Sequence, residues 1–434
     1  MRLRLGLLAT RDFRLLWTGE TTSFLGSTIS ELAIPLVAIR VLHAGVFAIS
    51  AMVAAAWLPW VVIGLPAGAW VDRLPRRRIM IVADLVSLVA FLSVPVAFWS
   101  GVLTVAQLLA VALVGGVASV FFKTAYRAFL PTLLKREDLM EGNAKLQASE
   151  AGSNVAGPGV AGLLAQIAGA VTGVLADAIT FAVSALCLSQ IHVHEPKPEV
   201  RERQHLLREI GEGLRIVGSD PLLRANTMFG VVTNLVLVGY QAVVIVFLVR
   251  TVGLSSGTTG LILSLVSLGG LSGVLLAGWA AKTFGTARAV FWGRLVLAPV
   301  GLLIPLTMRG FGLVLFVLGS VTITVVTLVG NVIWGSWAQA YYPPHMRGRI
   351  SSSIAFFAYG VAPIGALLAG LIASHYGVRT ALWVLLGILA ASSLVQLTGP
   401  LARMRDLPMP STSDNEPVAP AEATATSSTS GNEA

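Results

Sequence analysis

The sequence predicts an all-α membrane protein whose twelve transmembrane helices form two pseudo-symmetric six-helix bundles. Composition is the first reason: the 434 residues are 55% hydrophobic and 12% charged, whereas a soluble globular chain carries about 25% charged residues. The second reason is a series of twelve apolar stretches between residues 15 and 402, each near the length of about 20 residues that crosses a bilayer. The third is a faint repeat of the first six stretches in the last six.

The predicted spans are joined on one side by very short connections, such as Ser100-Gly101 after the third span. In chain order they lie at 15–39, 45–70, 79–100, 103–126, 146–169, 171–191, 223–249, 256–281, 287–308, 311–337, 350–374 and 378–402. The first stretch is long enough to span and no small-residue cleavage pattern follows it, so we expect a retained helix rather than a signal peptide.

The basic residues alternate between the two sides of the membrane. With a cytoplasmic N-terminus, the inner segments hold 26 of the 30 Lys and Arg residues, and the others are Arg40, Arg250, Arg309 and Arg379. The positive-inside rule then places both termini in the cytoplasm. Arginine outnumbers lysine 25 to 5 beside abundant Ala and Gly, which favours a GC-rich bacterium and hence its plasma (inner) membrane. Because no basic patch alternates with aromatic residues, we expect no nucleic-acid partner.

The one long internal loop divides the chain. We expect residues 1–191 to form the N-terminal six-helix bundle, 192–222 a cytoplasmic linker, and 223–406 the C-terminal six-helix bundle. Residues 407–434 are rich in Pro, Ser, Thr, Ala and Glu. Such a segment is too polar to bury a core, so we predict a disordered cytoplasmic tail.

Within the linker, apolar residues recur at helical spacing among charged ones. This pattern predicts either a helix on the inner membrane surface or a solvated linker helix. The residues are Leu206, Leu207, Ile210, Leu214 and Val217.

The two halves echo each other at an offset of 210 residues. Gly68 matches Gly278, and Asp84 and Arg294 occupy equivalent places with opposite charge. A parallel six-helix repeat joined by an intracellular linker is expected when two bundles rock about a central site.

The most specific local motif is GAWVDRLPRRR at 68–78, between the second and third spans. Here the chain resembles the major facilitator superfamily, whose signature has a Gly, an Asp four residues later, then Arg and a basic pair. The matching residues are Gly68, Asp72, Arg73, Arg76 and Arg77, while Pro75 stands where the family usually has Gly. FRLLWTGE (13–20), FLPTLLKREDLMEGNAKLQ (129–147) and LADAITFAVSA (175–185) extend the resemblance to the drug, macrolide and siderophore exporter branch.

Asp72 lies where the second span ends, at the negative end of the helix dipole, so its carboxylate needs a partner. The free N–H groups at the start of the eleventh span, near Ser351, Ser352 and Ser353, are suited to this role. Gly68 allows the two helices to approach closely. The resemblance implies that this contact locks the state closed to the cytoplasm. The alternative is an ordinary basic loop.

Polar side chains recur on one face of the first, seventh and tenth spans and, less regularly, of the fourth. A polar group in a spanning helix is costly unless it faces protein or water, so these residues are cavity candidates, and helix-to-helix contact is the alternative for each. They are Ser23, Ser27, Ser119, Phe122, Tyr126, Thr227, Asn234, Gln241, Thr324, Thr327, Asn331 and Trp334. The resemblance implies that these four spans line the central cavity. We expect no Arg or Lys pair at its centre.

Four carboxylates are candidates for coupling transport to protons: Glu31 first, Glu20 second, then Asp84 and Glu150. A carboxylate partly withdrawn from water holds its proton more tightly than one in solution. Many relatives carry an acid one turn earlier, where this chain has Ser27, so the site has moved to Glu31 or is absent. Asp177, near the outer end of the sixth span, is expected to be structural.

Gly157-Pro158 in the fifth span resembles part of the antiporter motif of drug–proton exchangers. Proline removes a backbone donor and glycine allows close packing, so we expect a bend that rocks with the cycle or a plain packing kink.

The sequence argues against an enzyme. It has no P-loop glycine motif, its six histidines lie in loops or at helix ends, and Cys187 is its one cysteine. We therefore expect no cofactor and no metal. The prediction is a monomeric secondary transporter that exports a small amphipathic molecule in exchange for protons. The alternatives are an importer or lysolipid flippase on the same fold, and a non-transporting membrane receptor or scaffold.

Overall fold

The computed structural model describes residues 6–193, 195, 211, 215, 217–342 and 344–409. Within them the chain forms twelve helical rods. The first six are α1 (Arg11–Arg40), α2 (Val46–Val62 and Gly64–Val71), α3 (Arg76–Trp99), α4 (Val105–Leu133), α5 (Leu139–Ile167) and α6 (Ala170–Ser189). The last six are α7 (Pro221–Val246, continued by Phe247–Thr251), α8 (Ser256–Phe284), α9 (Thr286–Trp292, continued by Gly293–Leu297 and Ala298–Leu306), α10 (Leu313–Tyr341), α11 (Pro344–Gly360 and Ala362–Tyr376) and α12 (Val378–Val395).

The twelve rods confirm the all-helical, twelve-span prediction. Ten of them are long and apolar enough to cross a membrane within the described residues. The other two are α2, which breaks at Ile63, and α5, whose first half carries several charged and amide side chains. We call the end of the rods that carries loops 72–75 and 134–138 the basic end, and the opposite end the far end.

The rods of residues 11–189 pack mainly on one another, as do those of residues 221–395. α1 lies against α5 and α6, while α3 lies against α4 and α6. In the second set α7 packs on α11 and α12, and α10 packs on α8 and α9. The two sets meet chiefly where α5 contacts α8 and where α2 contacts α11. The assignment of these sets to two domains with a linker stays a prediction.

Two rods are broken beside a proline. Pro66 and Pro363 each lack the N–H that would bond back four residues, to Val62 and Tyr359. The breaks fall at Ile63 in α2 and Val361 in α11. By contrast, α5 stays one continuous α-helix through Pro158. The proline-associated breaks therefore lie in α2 and α11, which pack against each other.

Three of the four basic residues outside the basic end donate to backbone carbonyls at the far end. Arg309 donates from Nε to Val252 O over 2.7 Å. Arg379 donates to Thr307 O over 3.1 Å, and Arg40 to Leu254 O over 3.2 Å. Carbonyls at helix ends lack intrahelical donors, so these arginines satisfy groups that would otherwise be unpaired.

Glu195 and Val217 are two described residues of the linker that contact the helices. The Glu195 carboxylate accepts hydrogen bonds from Arg76 N over 2.6 Å and Arg77 N over 2.9 Å, and so caps α3. Val217 is buried against the start of α7. The other residues of the predicted linker helix, Leu206, Leu207, Ile210 and Leu214, lie outside the described residues.

The predicted tail boundary at residue 407 is corrected by the structure, because Leu407 is only 4% exposed. Arg405 O accepts from Ala287 N and Arg288 N over 3.1 and 3.2 Å, and Asp406 Oδ1 accepts from Thr286 N over 2.8 Å. These are the free N–H groups that begin α9. This contact could not be predicted from the sequence, because it joins residues about 120 positions apart. Residues 410–434 lie outside the described residues.

The docked segment continues to Pro408, whose carbonyl accepts from Trp337 Nε1 over 2.8 Å. Residues 405–408 therefore join the start of α9 to the end of α10, beside the chain's C-terminal helix.

A truncation series tests this boundary. A chain ending after Met409 should keep normal abundance and melting temperature. A chain ending after Met404 loses the α9 cap and the buried Leu407, a loss of about 3 kcal/mol, so its melting temperature should fall by several degrees. Thermal unfolding followed by fluorescence-detected size-exclusion chromatography measures both. Equal stability of the two truncations would show that the docked segment contributes nothing.

Candidate functional site

The far end is closed by contacts between α5 and α8. Gln166 Oε1 accepts from Gly257 N over 3.0 Å, and Gly159 N donates to Ser264 Oγ over 2.8 Å. Ser255 Oγ also donates to Gln166 Oε1 over 3.3 Å, and with the bond from Arg40 to Leu254 O these hydrogen bonds join described residues of the two sets. All of them lie toward the far end.

The closest approach in this contact joins Gly162 and Gly260. A Cβ placed on Gly162 would lie 2.5 Å from Ser256 O and 2.9 Å from Gly260 Cα. Both are backbone atoms that cannot move aside as a side chain can. The GPGVAG stretch of α5 therefore carries the glycines that let α5 and α8 pack at the far end. Gly157 has a related use, since it makes room for Thr28 of α1.

Among the described residues, the basic end shows no contact of the kind predicted for the 68–78 motif. Asp72 is exposed, and a Cβ on Gly68 would meet no atom within 4 Å. The close helix approach expected at Gly68 is therefore absent in this state. Within the motif, Arg77 donates from Nε to Leu188 O over 2.7 Å and also bonds Ser189 O, which ties α3 to the end of α6. The side chains of Ser351, Ser352 and Ser353 lie outside the described residues.

Glu31 marks an open space between the two sets of rods. It is solvent-exposed, yet it lies deep among protein atoms near Lys123. A side chain that is both accessible and surrounded by protein faces an interior opening rather than lipid. Lys123 is exposed too, and its Nζ lies 6.0 Å from the centre of the Trp60 ring. We call this opening the central crevice.

Behind the crevice wall lie three buried carboxylates. Glu20, Asp84 and Asp177 are 3%, 2% and 0% exposed. Each has one carboxylate oxygen without a hydrogen-bond partner among the described residues. An unpaired ionised carboxylate is very costly away from water, so these side chains are suited to carry protons.

The carboxylates lie close enough to one another for their charges to interact. Glu20 interacts with Glu150 and Asp84, Asp84 with Asp177, and Asp177 with Glu31. We call these five residues the carboxylate row. It runs from the exposed Glu150 through the buried core of α1, α3 and α6 to the exposed Glu31. Asp177 Oδ1 also accepts from Thr180 Oγ1 over 3.1 Å, so the expectation that Asp177 is structural stays a prediction.

The second set of rods contains a cavity of about 290 Å³ formed by α7, α9, α10, α11 and α12. Five residues singled out from the sequence line it: Thr227, Asn234, Thr327, Asn331 and Trp334. Most of the remaining lining is apolar. Of the other candidates in this half, Gln241 is exposed outside the cavity, and the methyl of Thr324 lies against Gly270 of α8.

The candidates in the first half lie away from this cavity. Ser23 is buried, Ser27 and Ser119 are half-buried, and Phe122 and Tyr126 pack against a separate apolar cluster near the basic end. Tyr126 lies near Glu20 and Glu150.

Two cations lie inside the rods. Arg294 lines the cavity, and Lys123 faces the crevice. At 1.5 Å per residue they lie roughly 12 and 15 Å from the basic ends of α9 and α4. The sequence predicts no Arg or Lys pair at the cavity centre, and its charge pattern places both residues among the inner basic ones, although the predicted spans 103–126 and 287–308 contain them.

Comparison with known proteins fits this architecture. The family model for the Major Facilitator Superfamily matches residues 16–366. The multidrug efflux pump Tap of Mycolicibacterium fortuitum is 28% identical over 412 residues, which cover 90% of this chain and 95% of that protein. Macrolide efflux protein A of Streptococcus pyogenes is 23% identical, over 85% of this chain and 90% of its own.

Solved structures show the same fold at low sequence identity. The nucleoside transporter NupG superposes with a TM-score of 0.75 at 12% identity, covering 91% of this chain and 100% of its own. A bacterial homologue of the iron transporter ferroportin, in an inward-facing state, superposes with a TM-score of 0.67 at 16% identity, covering 89% of this chain and 99% of its own.

The glycine contact gives a test of the far-end closure. Gly162→Ala should open the far end, because its methyl group overlaps backbone atoms of α8. Spin labels at the exposed Val102 and Phe311 report the separation of the far-end loops by electron resonance. We expect a clear increase in the longer-distance population.

Gly152→Ala on the same helix is the matched control, because a Cβ there meets no atom within 4 Å. It should leave the distances unchanged. The same distance distribution in Gly162→Ala as in the unmodified protein would rule out this contact as the closure.

Proposed function

Because the chain belongs to the Major Facilitator Superfamily, a family of membrane transporters, we propose that it exports a small amphipathic organic molecule in exchange for protons. The membrane would be the bacterial plasma membrane, with the basic end and both termini in the cytoplasm. The observation that carries the proposal is the central crevice, which is closed at the far end and has the carboxylate row on one wall and the cavity on the other.

Alternating access follows from the arrangement of these contacts. The two sets of rods touch tightly at the glycines of α5 and α8, while Asp72 and Gly68 are free at the basic end. A rocking motion that separates Gly162 from Gly260 would bring the basic ends together. Asp72 would then reach the free N–H groups that begin α11, which stabilises a carboxylate. In this scheme the structure is the cytoplasm-open state, and Asp72 locks the other one.

Export of an organic molecule is supported by the relatives. Two of them are named as a multidrug efflux pump and a macrolide efflux protein, and both align over nearly their whole length. The apolar lining of the cavity, with a few amide and hydroxyl groups, suits an amphipathic molecule better than a sugar.

Proton coupling is assigned to the carboxylate row, with Glu31 as the principal site and Glu20 second. Glu31 is open to the crevice in this state, so it can release a proton toward the basic end. A proton bound there from the far side would neutralise it and favour one state of the transporter over the other. Asp84, Asp177 and Glu150 extend the row on either side.

The coupling role is tested with Glu31→Gln, which mimics the protonated acid. In proteoliposomes, a proton gradient should no longer drive uptake of a neutral amphipathic probe such as chloramphenicol into inside-out vesicles, while downhill exchange of the same probe continues. Glu137→Gln, an exposed loop carboxylate, is the control and should retain coupling. Full sensitivity to the gradient in Glu31→Gln would transfer the role to Glu20.

The gate is tested with Asp72→Asn. The variant should lose most transport at near-normal abundance, because a dipole-pairing charge disappears while the exposed side chain makes little packing contact. Asp12→Asn, at the same end of the molecule, should transport normally. Normal efflux by Asp72→Asn would remove Asp72 from the mechanism.

Cells with and without the gene separate the remaining classes. Lower accumulation of the probe in cells that carry the gene supports export, and higher accumulation would indicate an importer. Identical accumulation with correctly inserted protein would favour a receptor or scaffold.

A further inference from the structure

Arg294 is a buried cation in the wall of the cavity. Its side chain is 8% exposed, and it lines the cavity together with Asn226, Thr227 and Trp334. It lies in the π-helical turn Gly293–Leu297, where α9 leaves regular α-helical geometry. Such turns inside helices occur frequently at functional sites.

The partners of Arg294 are neutral. Nη2 donates to Asn226 Oδ1 over 2.9 Å, and Nη1 lies 3.5 Å from Gln396 Oε1. The guanidinium carbon lies 4.1 Å from the centre of the Phe229 ring. A guanidinium has five N–H donors. Two of them face neutral amide oxygens, and neither of these partners is an anion.

The second half of the chain cannot supply a carboxylate to this cation. The sequence has no Asp or Glu between Asp220 and Asp406. Asp220 accepts from the N–H groups that begin α7 and from Tyr342 Oη, and Asp406 caps α9 at Thr286. Both lie at the basic end. A buried charge without a partner costs several kcal/mol, so a permanently charged Arg at this place needs an anion from elsewhere.

The neighbouring polar groups are also donors. Trp334 Nε1 and Thr227 Oγ1 are buried, and neither has a hydrogen-bond partner among the described residues. An indole N–H can only donate. The rest of the wall is largely apolar, with side chains such as Phe229, Leu237 and Ile323.

From this arrangement we propose that Arg294 is the anion-binding residue of the cavity, and that the transported molecule is an amphipathic organic acid whose carboxylate pairs with the guanidinium. Arg binds carboxylates through two parallel hydrogen bonds, while the apolar wall receives the body of the molecule. A cationic molecule is disfavoured here by the fixed positive charge. This assignment of substrate class rests on the proposed transport function.

A matched pair of probes tests the anion site on the purified full-length protein. 1-Naphthaleneacetate and 1-naphthaleneacetamide share one ring system and differ in charge. Equilibrium dialysis should give a dissociation constant for the acid lower than that for the amide by tenfold to a hundredfold, the range of a hydrogen-bonded charge on the order of 1.5–3 kcal/mol. Arg294→Gln should remove this preference and leave amide binding within threefold.

Arg288→Gln is the control, because it removes the same charge from the exposed first turn of the same helix. It should bind both probes as the unmodified protein does. Arg294→Lys should recover part of the preference. If Arg294→Gln does not fold, thermal shifts of the unmodified protein make the comparison, and the acid should stabilise it more than the amide.

Equal affinity of the unmodified protein for the two probes would overturn the anion site. So would an equal loss of both probes in Arg294→Gln, since this would show a packing role or a pair with a carboxylate of the first half. If the protein binds the acid preferentially but does not export it in proteoliposomes, the anion site is supported and the proposed export function is overturned. The two failures are therefore distinguishable.

Discussion

The cost of an unpaired charge away from water decides where the ionised side chains of this protein lie. A charge within the membrane is tolerated only beside protein groups or an aqueous opening. Arg309, Arg379 and Arg40 meet the condition by donating to far-end carbonyls. Glu31 and Lys123 meet it by facing the crevice. Glu20 lies within range of the charge of Lys123. Asp84 and Arg294 form no salt bridge with an opposite charge among the described residues, and in the proposed transport cycle a proton and the substrate supply their counter-charges.

The two halves divide these charges between them. The spans of the first half hold every buried carboxylate of the described residues, whereas the second half has no acid between residues 220 and 406. The offset of 210 residues puts Asp84 in α3 opposite Arg294 in α9 in the repeat. Equivalent positions of the repeat thus carry a carboxylate in the first half, which a proton can neutralise, and a permanent cation in the second. This difference suits the first half to proton exchange and the second to an anionic ligand.

Hydropathy and charge alternation were enough to predict the twelve rods, because each depends on residues adjacent in sequence. The motif at 68–78 and the glycines of α5 were also recognisable, although the partner of Gly162 was not. What failed were features set by distant contacts. Arg294 was counted among the inner basic residues although the predicted ninth span contains it, because the sequence does not show which side chains of a helix face a cavity. Leu407 was assigned to a tail because the N–H groups that its segment covers are far away in sequence.

The proton site and the far-end closure are connected through α1 and α5. Glu20 and Glu31 both lie on α1, which is fastened to α5 where Thr28 Oγ1 donates to Ser153 O over 3.1 Å and fits against Gly157. Gly162 lies five residues further along α5, so the Thr28 contact and the Gly162–Gly260 contact are about 8 Å apart on one rod. A change in charge on α1 that shifts α1 against its neighbours must therefore move α5, or break a buried contact. Because α5 is a single helix through Pro158, it transmits that shift to α8 as a rigid element. In the proposed mechanism, protonation on one wall of the crevice is in this way linked to the contact that closes its far end.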